Sequence, residues 1–93
     1  MPSWWAAGHP MGAPMPVKPP DLKRRLARNV RRFRQAAGMS REELAEASGR
    51  SVRTIRRIEN GEVETTLRVL ADLGNGLGVD PAALLAKHPK RRG

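Results

Sequence analysis

From Asp21 onward, residues that start helices and residues that stop them alternate along the chain at short intervals. Asp21 can cap a helix whose apolar positions, Leu22, Leu26, Val30, Phe33 and Ala37, recur every three or four residues and so fall in one stripe. Gly38 then suits a left-handed helix end. Ser40-Arg41-Glu42-Glu43 is a capping box, in which hydroxyl and carboxylate satisfy each other's backbone amides. Gly49 breaks that helix, and Ser51 caps the next, which buries Ile55 and Ile58 and ends at Gly61. Thr65 or Thr66 starts a fourth helix carrying Leu67, Leu70, Leu73 and Leu77. Asp80-Pro81 opens a short fifth with Leu84 and Leu85. Such punctuation allows only short packed helices: the fold class is all-α, in five helices.

Two glycines break the pattern. Gly74 and Gly76 lie inside the fourth helix, where each costs about 1 kcal/mol relative to Ala. They either loosen that helix or permit the close approach of another chain. Residues 1–20 differ from all that follows. They hold six of the eight prolines, both tryptophans and a single charged side chain, Lys18. Proline removes amide donors and biases its neighbours to extended shapes, so 1–20 reads as a disordered Pro-rich arm. Trp4-Trp5 in it is either an aromatic anchor or an unselected tail. Residues 21–86 form the domain, and 87–93 a basic tail broken by Pro89.

Ninety-three residues hold one small domain. With no cysteine, disulfides and thiolate chemistry are excluded, and His9 and His88 stand too far apart in sequence to form a local metal site. No cofactor and no metal are expected. No apolar run approaches the ~20 residues of a spanning helix, and the first residues lack the basic and apolar regions of a secretory signal. Eighteen Lys and Arg against nine Asp and Glu leave a net charge of +9, more than solubility asks for. Such a charge attracts polyanions, nucleic acid first.

The second and third helices, 40–48 and 51–60, are joined by a tight glycine turn: a helix-turn-helix. The first helix of such a pair crosses the phosphate backbone, and the second offers its N-terminal side chains to base edges in the major groove. Arg50, Arg53, Arg56 and Arg57 stand on this second helix, with no acid before Glu59. Arginine is the side chain best shaped for bidentate contact with guanine O6 and N7. Helix one adds a second cationic face in Arg24, Arg25, Arg28, Arg31 and Arg32.

Ser40-Arg41-Glu42-Glu43-Leu44-Ala45-Glu46, then Gly49, Ser51, Thr54-Ile55 and Arg57-Ile58-Glu59-Asn60-Gly61, resembles the phage-repressor/Cro-like (XRE) family over about residues 22–85. The resemblance implies a compact five-helix domain that binds a palindromic operator as a homodimer. By position it implies base reading by Ser51, Val52, Arg53 and Arg56, with Arg57 beside them. It also implies phosphate contacts from Ser40, Arg41, Asn60 and Arg68, and a partly buried ion pair between Arg34 and Glu59. Val52 is suited either to a thymine methyl or to packing against the neighbouring helix. The chain departs from the family pattern in places. Arg41 stands where glutamine is common, Arg50 where a small apolar residue packs in the turn, and Glu62-Val63-Glu64 where cations face phosphate. Arg50 is expected to extend its stem outward.

The function these readings favour is a sequence-specific regulator of transcription, a repressor, in the cytoplasm and on the nucleoid of a bacterium or phage. The alternative is an antitoxin that neutralises a toxin or other protein while binding its own promoter through the same domain. An enzyme is not expected, because no Ser/His/Asp set, paired carboxylates or glycine-rich phosphate loop is recognisable. A membrane is not an expected partner.

Overall fold

The computed structural model describes residues 17–87. The order of elements is α1 (Pro19–Ala36), α2 (Arg41–Ser48), α3 (Val52–Glu59), α4 (Leu67–Leu77) and a 3-10 helix (Pro81–Leu85), with no strand among the described residues. Leu26 and Val30 of α1, Leu44 and Ala45 of α2, Ile55 and Ile58 of α3, Leu70 and Leu73 of α4, and Leu84 form one buried core. Phe33, Val52, Val63, Leu77 and Leu85 pack against its edges.

Two boundaries differ from the reading of the sequence. First, α1 starts at Pro19, with Lys18 as its N-cap, so Asp21 lies inside the first turn rather than capping it. The first amides of a helix have no partner within it, so the two prolines lose nothing there and their fixed φ favours the start. Asp21 instead pairs with Arg24 at 2.5 Å, and that guanidinium holds its carboxyl below the usual carboxylate range. The rest of the Pro-rich segment, residues 1–16, lies outside the described residues, as does 88–93 of the basic tail. Second, the fifth helix is a single run of 3-10 geometry. Asp80 caps it by accepting the Ala82 N–H at 2.8 Å, and Ala86 is already extended. The buried Asn29 explains the stop: its Nδ2 donates to the carbonyls of Leu84 (3.0 Å) and Ala86 (2.9 Å). Those acceptors are satisfied by a side chain of α1 instead of a continuing helix.

The glycines of α4 have a third explanation, within the chain. A Cβ on Gly76 would lie 3.0 Å from the Ser48 nitrogen, and one on Gly74 2.8 Å from the Val79 carbonyl oxygen. The absent side chains let α4 close on the end of α2 and on the loop that follows it. The close approach is made by this chain's own backbone.

Candidate nucleic-acid interface

The capping box of α2 forms as its residues predict. Ser40 Oγ accepts the Glu43 N–H at 3.0 Å, while the Ser40 N–H donates to Glu43 Oε1 at 2.8 Å. These bonds from Ser40, backbone amide first, hold the Glu43 carboxyl below its ordinary value of 4.5. Between α2 and α3 the chain turns at Gly49, whose φ of +71° an L side chain adopts only with strain. Ser51 then caps α3 by accepting the Thr54 N–H at 3.1 Å.

Arg50 sits in this turn, before α3 begins, and does not stand with the arginines of the helix. Its Nε donates to Asp72 Oδ2 on α4 at 3.0 Å, and its Nη2 bonds the same oxygen. A cation where the turn would take a small apolar group is thus tied sideways to α4. It ties the turn between α2 and α3 to α4.

On α3, Ile55, Ile58 and Glu59 are buried, while Arg53, Arg56, Arg57 and Asn60 are exposed. Ser51 is exposed too, with its hydroxyl engaged in the cap. Val52 is half-buried and packs against the core, the second of the two roles its position allowed. Asn60 donates from Nδ2 to Glu62 Oε2 at 3.0 Å, and Arg68 is exposed in the first turn of α4.

The structure brings Arg34 and Glu59 together, and adds partners that the sequence did not reveal. The Glu59 carboxylate is fully buried. It accepts Arg34 Nε at 2.6 Å, Arg34 Nη2 at 3.1 Å and Arg41 Nε at 3.1 Å. Arg34 also donates from Nη1 to the Met39 carbonyl at 2.9 Å, and Arg31 donates from Nη2 to the Glu59 carbonyl at 2.7 Å. Hydrogen bonding to Glu59 holds Arg34 still more firmly in its charged form. The one acid of α3 is therefore turned inward and neutralised. Two cations meet at the carboxylate, and a third reaches the C-terminal end of the helix, where cations are favoured. What α3 shows to solvent is cationic.

Arg41 thus has a second role beside the phosphate contact expected of it. One edge of its guanidinium meets Glu59, while its side chain remains 39 % exposed. A guanidinium has five donors in a planar fork, so an edge remains for a further anion.

Residues 25–86 match the family described as a helix-turn-helix domain. The chain belongs to that family, in its repressor/Cro-like (XRE) form. This helix-turn-helix protein is 37 % identical over 68 residues to the control protein C.SmaI of Serratia marcescens, covering 73 % of this chain and 81 % of the relative. Among solved structures it is similar to the restriction-modification controller protein C.AhdI of Aeromonas hydrophila. There the TM-score is 0.65 and the identity 27 %, over 67 % of this chain and 94 % of the controller. It is also similar to an HTH_3 family transcriptional regulator from Vibrio cholerae, with a TM-score of 0.70 and 25 % identity over 72 % of this chain. The chain spans 38 % of that regulator's length.

Proposed function

We propose that this helix-turn-helix protein is a sequence-specific regulator of transcription that reads duplex DNA through the N-terminal part of α3. One observation carries the reading: Arg53, Arg56 and Arg57 are exposed together on α3, while Glu59, its only acid, is buried against Arg34 and Arg41. Arg53 and Arg56 face away from Ile55 and Ile58, so they can enter a major groove without disturbing the core. Ser51 and Arg57 stand beside them, and Val52 offers only the part of its side chain not packed inward. Ser40, Arg41, Asn60 and Arg68 are the proposed phosphate contacts, which set the docking angle and carry no base information.

The relatives that control restriction–modification systems support a role in gene control, and we propose that this chain represses or tunes a promoter as a homodimer on a palindromic operator. That reading places it in the bacterial cytoplasm, on the nucleoid, with no catalytic activity of its own. Toxin neutralisation ranks second, since the relatives are regulators and controllers. The test is quantitative binding to an operator library. Arg53→Ala or Arg56→Ala should cost about 1–3 kcal/mol on the operator and relax preference at particular base pairs. Arg24→Ala or Arg28→Ala, on α1, should affect operator and random DNA alike or neither. Equal losses on every sequence for Arg53→Ala and Arg56→Ala would show that α3 is not the reader.

A further inference from the structure

Arg50, Arg53, Arg56 and Arg57 are close in sequence, yet one of them is held differently. Arg53, Arg56 and Arg57 are exposed on α3 and pair with no acid among the described residues. Arg50 is bonded to an acid of another element. Its Nε donates to Asp72 Oδ2 on α4 at 3.0 Å, and its Nη2 bonds the same oxygen. The two side chains remain 29 % and 33 % exposed. A pair this open to water adds little stability, since exposed ion pairs contribute about 0–1 kcal/mol. Its larger effect is on charge: it cancels a cation beside the proposed reading helix.

The place of the pair gives that cancellation a consequence. Arg50 directly precedes Ser51, the N-cap of α3, and a major groove entered by the start of α3 is walled on both sides by phosphates. Asp72 follows Arg68 by four residues on α4, which puts both on one face of that helix. Arg68 is itself a proposed phosphate contact. Arg50 and Arg41 differ in the acid that each meets. The Glu59 carboxylate is fully buried and shared with Arg34, so Arg41 presents net positive charge outward. Asp72 is partly exposed and serves Arg50 alone among the described residues. A phosphate approaching Arg50 therefore meets a carboxylate as well as a guanidinium.

We propose that Asp72 is a positioning residue that withholds Arg50 from the phosphate backbone and so limits the sequence-independent hold on DNA. This inference rests on the DNA-binding reading and names a residue that tunes it. Neutralising Asp72 frees Arg50 and adds one phosphate contact per copy of the chain. Preference among base pairs is unchanged, because a phosphate contact carries no base information.

The experiment is a salt titration of the full chain on a mixed-sequence DNA duplex of fixed length, read by fluorescence anisotropy. Wild type is compared with Asp72→Asn, Asp72→Glu, Arg50→Gln and the double variant Asp72→Asn/Arg50→Gln. Thermal melts followed by circular dichroism check that each is folded. Asp72→Asn should steepen the log–log slope by roughly 0.9 per copy, which is about a further threefold loss of affinity between 50 and 200 mM salt. Asp72→Glu keeps the charge and should keep the wild-type slope. Arg50→Gln should also keep it, because Arg50 makes no phosphate contact to lose, and the double variant should match Arg50→Gln. A tie that served structure alone would lower the melting temperature of Asp72→Asn and leave its slope unchanged, which overturns the proposal. Two other results overturn it: a shallower slope for Arg50→Gln, or a double variant as steep as Asp72→Asn. Arg50→Gln decides the matter even where Asp72→Asn does not fold. A wild type whose affinity for duplex DNA is absent or independent of salt would overturn the DNA-binding reading, and this inference with it.

Discussion

At the scale of single residues, Glu59 organises the site although it never faces solvent. Its carboxylate gathers Arg34 and Arg41, and its carbonyl takes Arg31, so α1, the start of α2 and the end of α3 meet at one residue. Removing one member of a buried pair costs more than the pair contributes, because the remaining charge is stranded. Glu59→Ala should destabilise the fold by about 3–5 kcal/mol, and a melting temperature within a degree or two of wild type would refute this. Arg41→Gln tests the two-sided role of its guanidinium. It should lower the melting temperature through Glu59 and also reduce the salt dependence of DNA binding by roughly 0.9 in the log–log slope for each phosphate no longer neutralised. A lower melting temperature with an unchanged slope would assign Arg41 to structure alone. The Arg34–Glu59 pairing could be expected from the family's arrangement of residues. The parts played by Arg31, Arg41 and Asn29 could not, since their partners lie 28, 18 and 55 or more residues away in sequence.

At the scale of elements, the starts and stops of helices are legible in the sequence because their causes are local. Ser40 with Glu43, Ser51, Thr66 and Asp80 all cap the helices they precede, since a side-chain oxygen and an orphan amide are only two or three residues apart. The start of α1 is harder to place, because the residue type that bars a helix interior is the one that suits its first turn. Gly74 and Gly76 are ambiguous in the sequence because the backbones they admit come from elsewhere in the chain. Their effect on stability follows from that packing. Alanine improves helix propensity by about 1 kcal/mol. At Gly74 its Cβ would stand 2.8 Å from the Val79 carbonyl oxygen and 3.0 Å from Pro81 Cγ, and overpacking of this kind costs about 1–3 kcal/mol. Gly74→Ala should therefore lower the melting temperature despite the better propensity. A rise would mean that the loop at Val79 yields freely.

The capping box makes a prediction in pH. Because the folded chain holds the Glu43 carboxyl below its ordinary value of 4.5, this residue contributes stability above that pH and loses it as pH falls through the lowered value. Glu43→Gln keeps an oxygen for the Ser40 amide but cannot titrate. Its stability should fall less steeply on acidification than that of wild type, as followed by circular dichroism between about pH 5 and 2. Parallel acid limbs would show that Glu43 carries none of the dependence.

At the scale of the whole molecule, two associations are set against each other by the same charge. The chain carries +9, so two copies in the proposed homodimer repel, whereas the chain and a duplex attract. Salt screens both interactions, with a Debye length of roughly 8–10 Å near physiological strength. Raising salt should therefore strengthen the pairing of two copies while weakening the hold on DNA. If α1, Arg41 and the start of α4 bring about 6–10 phosphates per dimer under cationic side chains, affinity falls by ~10³–10⁵ between 50 and 200 mM salt. Cations already committed to acids lower that number: Arg50 is held by Asp72, Arg34 by Glu59 and Arg24 by Asp21. Binding and sedimentation measured on one preparation across that range should show slopes of opposite sign. A nearly salt-independent affinity for duplex DNA would remove the electrostatic basis of the interface, whatever the state of the dimer. A dimer that dissociates as salt rises would mean that ion pairs hold the two copies together.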